Sequence, residues 1–306
     1  MKKYFLFRTG QSILQFLGVV CLAFAMLRMT GDPASLMMSR NASPEAVEAF
    51  REAMGFNRPV AVQFIDWVGK ALHGDFGDST HFRSPALPIV LQRLPATMGL
   101  ATFGLLVAIL IGLPIGLIGG SNPGSLLDTI GRFIALLGQS VPNFWLGLIL
   151  ILIFAQRLGW FPVFGADKWN SVVLPGFVLG MPVMGELTRL TRSAVLEVRG
   201  EDYIRTARSK GLNPRTIYIH HMLRNVAIAL VSVIGVEFTY MLGGSIYIET
   251  IYAWPGMGLL LGQAVGWLDF TLVQTIAIFT SLVVITLNLL TDLAYAVLDP
   301  RIRHGQ

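Results

Sequence analysis

TRLTRSAVLEVRGEDYIRTARSKGLNPRTIYIHHMLRN, residues 188–225, is a polar segment set between two stretches apolar enough to span a membrane. It carries Arg189, Arg192, Arg199, Arg205, Arg208, Lys210, Arg215 and Arg224 against Glu197, Glu201 and Asp202, a local excess of +5 that equals the formal net charge of the whole chain. The basic character is therefore confined to one place. Short loops rich in Lys and Arg resist translocation, so this segment is expected on the cytoplasmic side and orients everything else.

With 54% hydrophobic and 13% charged residues and a mean hydropathy of +0.63, the chain is too apolar for an ordinary soluble domain and reads as an integral membrane protein. The pI near 9.6 does not imply nucleic acid, because the cations sit beside membrane spans without a nucleic-acid-binding motif or an aromatic stacking pattern. Cys21, the single cysteine, lies inside an apolar run and excludes both a disulfide framework and a cysteine metal site within one chain.

Apolar windows of about 20 residues, the length that crosses roughly 30 Å of hydrocarbon, fall at 9–29, 94–120, 131–156, 172–187, 226–248 and 272–298. They predict an all-α fold of six transmembrane helices. The fourth window is the weakest, interrupted by Pro175 and Pro182, but without it the basic loop falls on the wrong side. Lys2, Lys3 and Arg8 precede the first window, Arg301 and Arg303 follow the last, and 249–271 contains no Lys or Arg. Both termini are thus expected in the cytoplasm, with 30–93 and 249–271 outside. Two units result: residues 1–93, a first helix with an external loop, and residues 94–306, a five-helix core that contains the basic loop.

The N-terminus has signal-peptide features, including Ala23-Phe24-Ala25, but its apolar run continues through Met29 and stops better at Thr30-Gly31-Asp32-Pro33, so it reads as a retained span. Within the external loop, Ser43 can cap a helix with Pro44 at its first position and Gly55 at its end. Residues 60–72 read as an amphipathic helix against the membrane surface, with Trp67 at the interface. No separate soluble domain, solenoid repeat or low-complexity tract is evident.

The basic segment has an internal pattern of helix, glycine turn, helix. One helix is predicted from Glu201 to Lys210, acidic at its start and basic at its end, with Gly211 as the stop. Asn213-Pro214 then begins a second, which runs to about Asn225 and into the fifth span. A solvated loop that only fixes topology needs no such order, and Tyr203, Ile204, Ala207, Ile217, Tyr218 and Leu223 among the charges call for a partner surface.

Tyr203-Ile204-Arg205-Thr206-Ala207-Arg208-Ser209-Lys210-Gly211-Leu212, followed by His221-Met222-Leu223-Arg224-Asn225, resembles the coupling loop of ABC importer permeases of the dipeptide, oligopeptide and nickel branch. Further matches are Gly31-Asp32-Pro33, Gly74-Asp75-Phe76-Gly77, Arg93-Leu94-Pro95-Ala96-Thr97, Gly243-Gly244-Ser245, Trp254-Pro255-Gly256-Met257-Gly258 and Asp299-Pro300-Arg301-Ile302-Arg303, so the resemblance covers almost the entire chain. The general importer pattern of Glu-Ala-Ala, three residues and Gly is altered, with Arg205-Thr206-Ala207 in place of the triplet and Gly211 retained. The Ile-x-Leu-Pro portion is replaced too, since Arg224 follows Leu223.

The resemblance implies a type I permease-like fold in a bacterial inner membrane. It implies a second homologous permease, two ATP-binding subunits and an external solute-binding protein as partners. Tyr203, Ile204, Arg205, Thr206, Ala207, Lys210, Gly211, His221, Arg224 and Asn225 would couple the spans to the ATPases. ATP and Mg would be bound by those partners, since the chain has no GxxxxGK[ST] phosphate loop, and no cofactor or metal is expected in this chain. The same branch serves dipeptides, oligopeptides, glutathione, nickel and some sugar derivatives, with selectivity expected largely in the binding protein.

Several residues inside the spans bear on movement. Pro114 and Pro142 are expected to kink the second and third spans, while Gly112, Gly116, Gly119 and Gly120 permit close helix approach. Glu237 has apolar neighbours on both sides, and a carboxylate there must face protein or water. It either lines the translocation path, meeting a substrate amine or cation, or hydrogen-bonds a neighbouring helix. Glu186 can pair with Arg189, and Asn288 and Asp292 share a face of the sixth span, with Asp292 near its end in a structural role. The rival classes lack support: there is no HExxH or GxSxG motif, His73, His81, His220, His221 and His304 form no ligand set, and no channel filter is evident.

Overall fold

A small residue stands at every fourth position from Gly104 through Ala108, Gly112 and Gly116 to Gly120. That spacing is close enough to the helical repeat to place all five on one face. The computed structural model describes residues 2–29, 31–32, 34–35, 38, 42–213 and 223–298. In chain order its helices are α1 (Lys2–Met29), α2 (Pro44–Ala53), α3 (Val60–Leu72), α4 (Ala86–Ser121), α5 (Leu126–Ser140), α6 (Asn143–Leu150), α7 (Val173–Arg199), α8 (Asp202–Ser209), α9 (Leu223–Ile251), α10 (Met257–Gly266) and α11 (Phe270–Leu298). A π-helical segment, Ile151–Arg157, extends α6, and a 3-10 turn, Trp169–Val172, precedes α7.

The small-residue face of α4 meets α7. A Cβ built on Gly180 would lie 2.3 Å from the Gly104 carbonyl oxygen, and one on Gly116 would lie 2.7 Å from that of Thr188. Both helices contribute rows four residues apart, with Gly176, Gly180, Met184, Thr188 and Arg192 on the α7 side, the pattern in which i±4 ridges interdigitate. Close packing of this kind matters because apolar side chains gain little by leaving lipid for another helix. Gly119, grouped with the others in the sequence reading, instead faces Asp128.

By length and composition, α1, α4, Trp169–Arg199 and α11 can each cross a membrane, and the broken pair Leu126–Ser140 and Asn143–Arg157 brings the number to five among the described residues. The remaining window, 226–248, falls in α9, whose 29 residues reach roughly 44 Å at 1.5 Å per residue. The bend within the pair is 108° and falls at Val141-Pro142, so the expected kink at Pro142 is a full break, either in a span or in a re-entrant loop. At Pro114 the outcome differs: α4 passes through Pro95 and Pro114 as one element and crosses the position-93 division.

Pro175 and Pro182 do not interrupt the fourth span. Pro175 lies in the first turn, where its missing N–H is not needed, and the helix continues past Pro182 to Arg199. Residues 188–199 are therefore the end of α7 and not loop. Thr188, Thr191 and Val195 are buried there, which keeps the segment helical despite its charges.

In the segment before α4, Ser43 Oγ accepts the Ala46 amide at 3.2 Å, Pro44 is the first residue of α2, and Gly55 has φ +70°. Phe24 of α1 packs on Phe64 and Trp67 of α3, with ring centroids 5.0 and 5.7 Å apart. A short turn closed by the Asp78–Pro85 bridge then leads into α4.

Candidate functional site

At the basic end of the bundle, α7 is tied to α4 and α5. Ser125 caps α5 by accepting the Asp128 amide at 3.2 Å, and the Asp128 carboxylate accepts the Gly124 amide at 2.9 Å. Arg192 closes the arrangement, donating from Nε at 2.5 Å and Nη2 at 3.1 Å to Asp128, which is 1% exposed. Arg132 stands 3.8 Å away. Arg199 donates to the Ser121 carbonyl at 3.0 Å, satisfying a C-terminal acceptor of α4 where a cation is favoured. Sequence reasoning placed Arg192 and Arg199 in a polar cytoplasmic loop and missed Asp128. An acid three residues after a Ser-capped helix start was the available signal.

This tie leads directly to the candidate coupling residues. Glu201 and Ile204 close the turn between α7 and α8, with the Ile204 amide donating to the Glu201 carbonyl at 3.1 Å. Ile204 was expected to await a partner, but its side chain is fully buried in the same cluster as Leu187 and Val195. Tyr203 is 41% exposed. Thr206 Oγ1 donates to the Asp202 carbonyl at 2.9 Å, the Lys210 amide donates to the Thr206 carbonyl at 3.0 Å, and Gly211 follows at φ +74°, the left-handed region that favours glycine. Arg205 and Ala207 lie in α8 and Arg224 and Asn225 in the first turn of α9, but the side chains of these four are outside the description, as are residues 214–222 entirely, His221 and the second predicted helix among them.

Within the bundle, Arg189 pairs with Glu186 at 2.6 Å, as their spacing predicts, and Gln139 of α5 donates to the same carboxylate at 2.6 Å. Glu237, on α9, is half-buried and lies within electrostatic range of Glu186. Among the described residues it has no hydrogen-bond partner. Other polar groups of α9 and α11 are better satisfied: Thr239 Oγ1 donates to Asn288 Oδ1 at 3.0 Å, and Asp292 pairs with Arg8 of α1 at 3.5 Å.

A fully buried carboxylate was not singled out from the sequence. Glu249, fully buried near the end of α9, accepts from Thr97 Oγ1 of α4 at 2.7 Å and from the Leu259 amide of α10 at 2.9 Å. Trp254 Nε1 donates to the Ala96 carbonyl at 2.9 Å and the Met257 amide to Thr97 Oγ1 at 2.8 Å, so the Trp-Pro-Gly-Met-Gly turn is fixed on α4. A Cβ on Gly256 would come within 2.4 Å of the Glu249 carboxylate, which explains the glycine. The signal available was an acid at the end of an apolar stretch, followed by a glycine-rich turn. No group of three or more His, Cys, Asp and Glu among the described residues is arranged to hold a metal ion.

Comparison with known proteins gives this arrangement its context. Residues 112–304 match the family model described as binding-protein-dependent transport system inner membrane component, and residues 1–101 match the N-terminal model of the same systems. The oligopeptide transport system permease protein AppB of Bacillus subtilis is 35% identical over 99% of this chain and 100% of its own length. A putative peptide transport system permease protein of Brucella abortus is 37% identical over 97% of this chain and 98% of its own. The glutathione transport system permease protein GsiC of Salmonella choleraesuis is 36% identical over 99% and 100%. Among solved structures, the inward-facing MetNI methionine ABC transporter aligns with TM-score 0.57 at 19% identity, over 69% of this chain and 96% of that one. An amino acid ABC transporter aligns with TM-score 0.54 at 16% identity, over 68% and 93%. At such identities the likeness is one of fold.

Proposed function

The chain belongs to the family of binding-protein-dependent transport system inner membrane components, and from that premise we propose that it is the permease subunit of an ATP-driven importer of dipeptides or oligopeptides. It is an integral inner-membrane transport subunit and not an enzyme; ATP hydrolysis belongs to partner subunits. The observation that carries the peptide reading is near-full-length similarity to oligopeptide and peptide permeases. The similarity to a glutathione permease is of the same order and favours glutathione, itself a small peptide, as the second reading.

In this reading the chain pairs with a second permease, two ATPases binding ATP and Mg dock beneath it, and an external binding protein delivers substrate. Both termini and the 188–225 segment face the cytoplasm, six helices cross the membrane, and residues 1–93 precede a five-helix core. Closure of the ATPases displaces α8 and the Gly211 turn. Because α7 is locked to α5 through Arg192 and Asp128 and to α4 through Arg199 and the Ser121 carbonyl, the push moves three helices together and switches access between the two sides. Glu237 lines the pathway, a role supported by its lack of a hydrogen-bond partner among the described residues and by the cost of leaving a carboxylate in lipid.

The test is uptake into proteoliposomes holding the complete complex. Uptake of a dipeptide only with both ATP and binding protein is expected; flux without ATP would make the protein a channel. A cysteine introduced at Ser209 should resist an impermeant external reagent in intact cells, and labelling there would reverse the topology.

A further inference from the structure

Opposite the basic end, a cavity of about 620 Å3 opens among α3, the turn before α4 and the first turns of α11. Its size lies within the roughly 300–1,000 Å3 typical of small-molecule sites. Phe56, Trp67 and Phe76 give it an apolar wall, and Lys70, Arg83 and Asp78 supply charges of both signs. Arg58 is already engaged by Asp66 at 3.2 Å, whereas Lys70, Arg83 and Asp78 form no ion pair with a described residue.

Two features separate this cavity from an ordinary charged surface. Arg83 has φ +51°, a strained conformation for a long side chain, and the turn holds it there. The Arg83 amide donates to the Ser79 carbonyl at 2.8 Å, Ser79 Oγ donates to the buried Asp269 at 2.5 Å, and His81 stacks on Trp267 at 3.7 Å. The second feature is Gln274, which lines the cavity, is 9% exposed and has a buried Nε2 with no hydrogen-bond partner. Buried amide donors are ordinarily paired, and this one, closed off from solvent, reaches an acceptor only when the side chain turns into the cavity that it lines.

We propose that this cavity binds a short peptide with free termini, on the permease itself and independently of the binding protein. Lys70 and Arg83 take its carboxylate, Asp78 its amine and the Trp67 wall an apolar side chain, while Gln274, turned into the cavity, donates to a peptide carbonyl. The ligand class rests on the peptide-import reading; the location does not. On the proposed topology the site faces outward, where a peptide leaving the binding protein would be held before entry.

The experiment uses the complete permease–ATPase complex in nanodiscs without binding protein, titrated calorimetrically with Ala-Phe-Ala. Saturable binding is expected, weakened at least about tenfold when the peptide is N-acetylated and C-amidated, and by a similar factor in Arg83→Asn combined with Lys70→Gln. Gln274→Leu should weaken it several-fold. Asn tolerates the left-handed backbone and both cations are exposed, so the thermal unfolding midpoint should not move. Equal binding of the blocked peptide, equal binding of glycerophosphoethanolamine, which would mark a lipid-headgroup site, or no saturation would each overturn the proposal. ATP-driven uptake of a peptide by a complex that fails to bind it alone removes this site and leaves import intact; binding without uptake removes the import reading and leaves the site.

Discussion

Thr97 Oγ1 lies 2.7 Å from Glu249 Oε1 and accepts the Met257 amide at 2.8 Å, so one hydroxyl joins α4, the end of α9 and the start of α10. Its proton goes to the carboxylate and its lone pair to the amide, which uses both halves of the group. Thr97→Val keeps the shape and deletes both bonds, leaving a buried amide unsatisfied and taking one donor from the carboxylate. A loss of about 1–3 kcal/mol is expected, read as a lower unfolding midpoint in detergent. Thr97→Ser should retain most of the stability, and an equal loss in the two variants would assign the effect to the methyl group.

Arg192→Ala strands a carboxylate that is 1% exposed. Breaking a buried pair costs roughly 3–5 kcal/mol, and the nearby Arg132 together with the partial exposure of Arg192 puts this case at the low end. Asp128→Asn with Arg192→Leu should recover part of the loss, because neither member of that pair is then a buried charge. A double variant no better than Arg192→Ala would show that Asp128 is not the source of the cost.

Gly211→Val places a β-branched residue at φ +74°, where the left-handed backbone costs an L-residue about 1–2 kcal/mol. A Cβ there meets nothing within 4 Å among the described residues, so the effect expected is on the turn. Membrane insertion should persist, while transport and binding-protein-stimulated ATP hydrolysis fall together. Unchanged rates of both would take the residue out of the mechanism.

Glu237→Gln keeps size and hydrogen-bonding capacity and removes the charge. With no partner among the described residues to disturb, the complex should assemble normally while transport slows, most for substrates carrying an extra amine. Wild-type rates for cationic and neutral substrates alike would leave Glu237 a structural residue only.

Asp32 offers a pH readout outside the membrane. Arg51 Nη2 donates to its carboxylate at 2.7 Å, and Ser35 donates from Oγ at 2.6 Å and from its amide at 3.1 Å. These bonds, that from Arg51 foremost, lower the Asp32 pKa from 3.8 to about 2. A carboxylate held below its unfolded value stabilises the fold above that value and stops doing so as the pH falls through the folded one. The difference in unfolding midpoint between wild type and Asp32→Asn should therefore be constant near neutrality and vanish between about pH 4 and 2. A gap that does not change with pH would mean the charge contributes nothing.

Local sequence was sufficient where the physics is local. The Ser43 cap with Pro44, the left-handed Gly211 and the Glu186–Arg189 pair each depend on residues within a turn or two, and apolar length alone marked the helices, since lipid requires every backbone group to be bonded internally. Tertiary contacts decided the rest. Residues 188–199 carry the charge of a loop yet form the end of α7, because Thr188, Thr191 and Val195 close against the small-residue face of α4. Asp128 finds Arg192 across 64 positions and Glu249 finds Thr97 across 152. Nothing in the immediate neighbourhood of either acid states that it will be buried: the cost of removing a carboxylate from water is fixed by its chemistry, but the donors that offset it are brought by helices whose packing only the folded chain establishes.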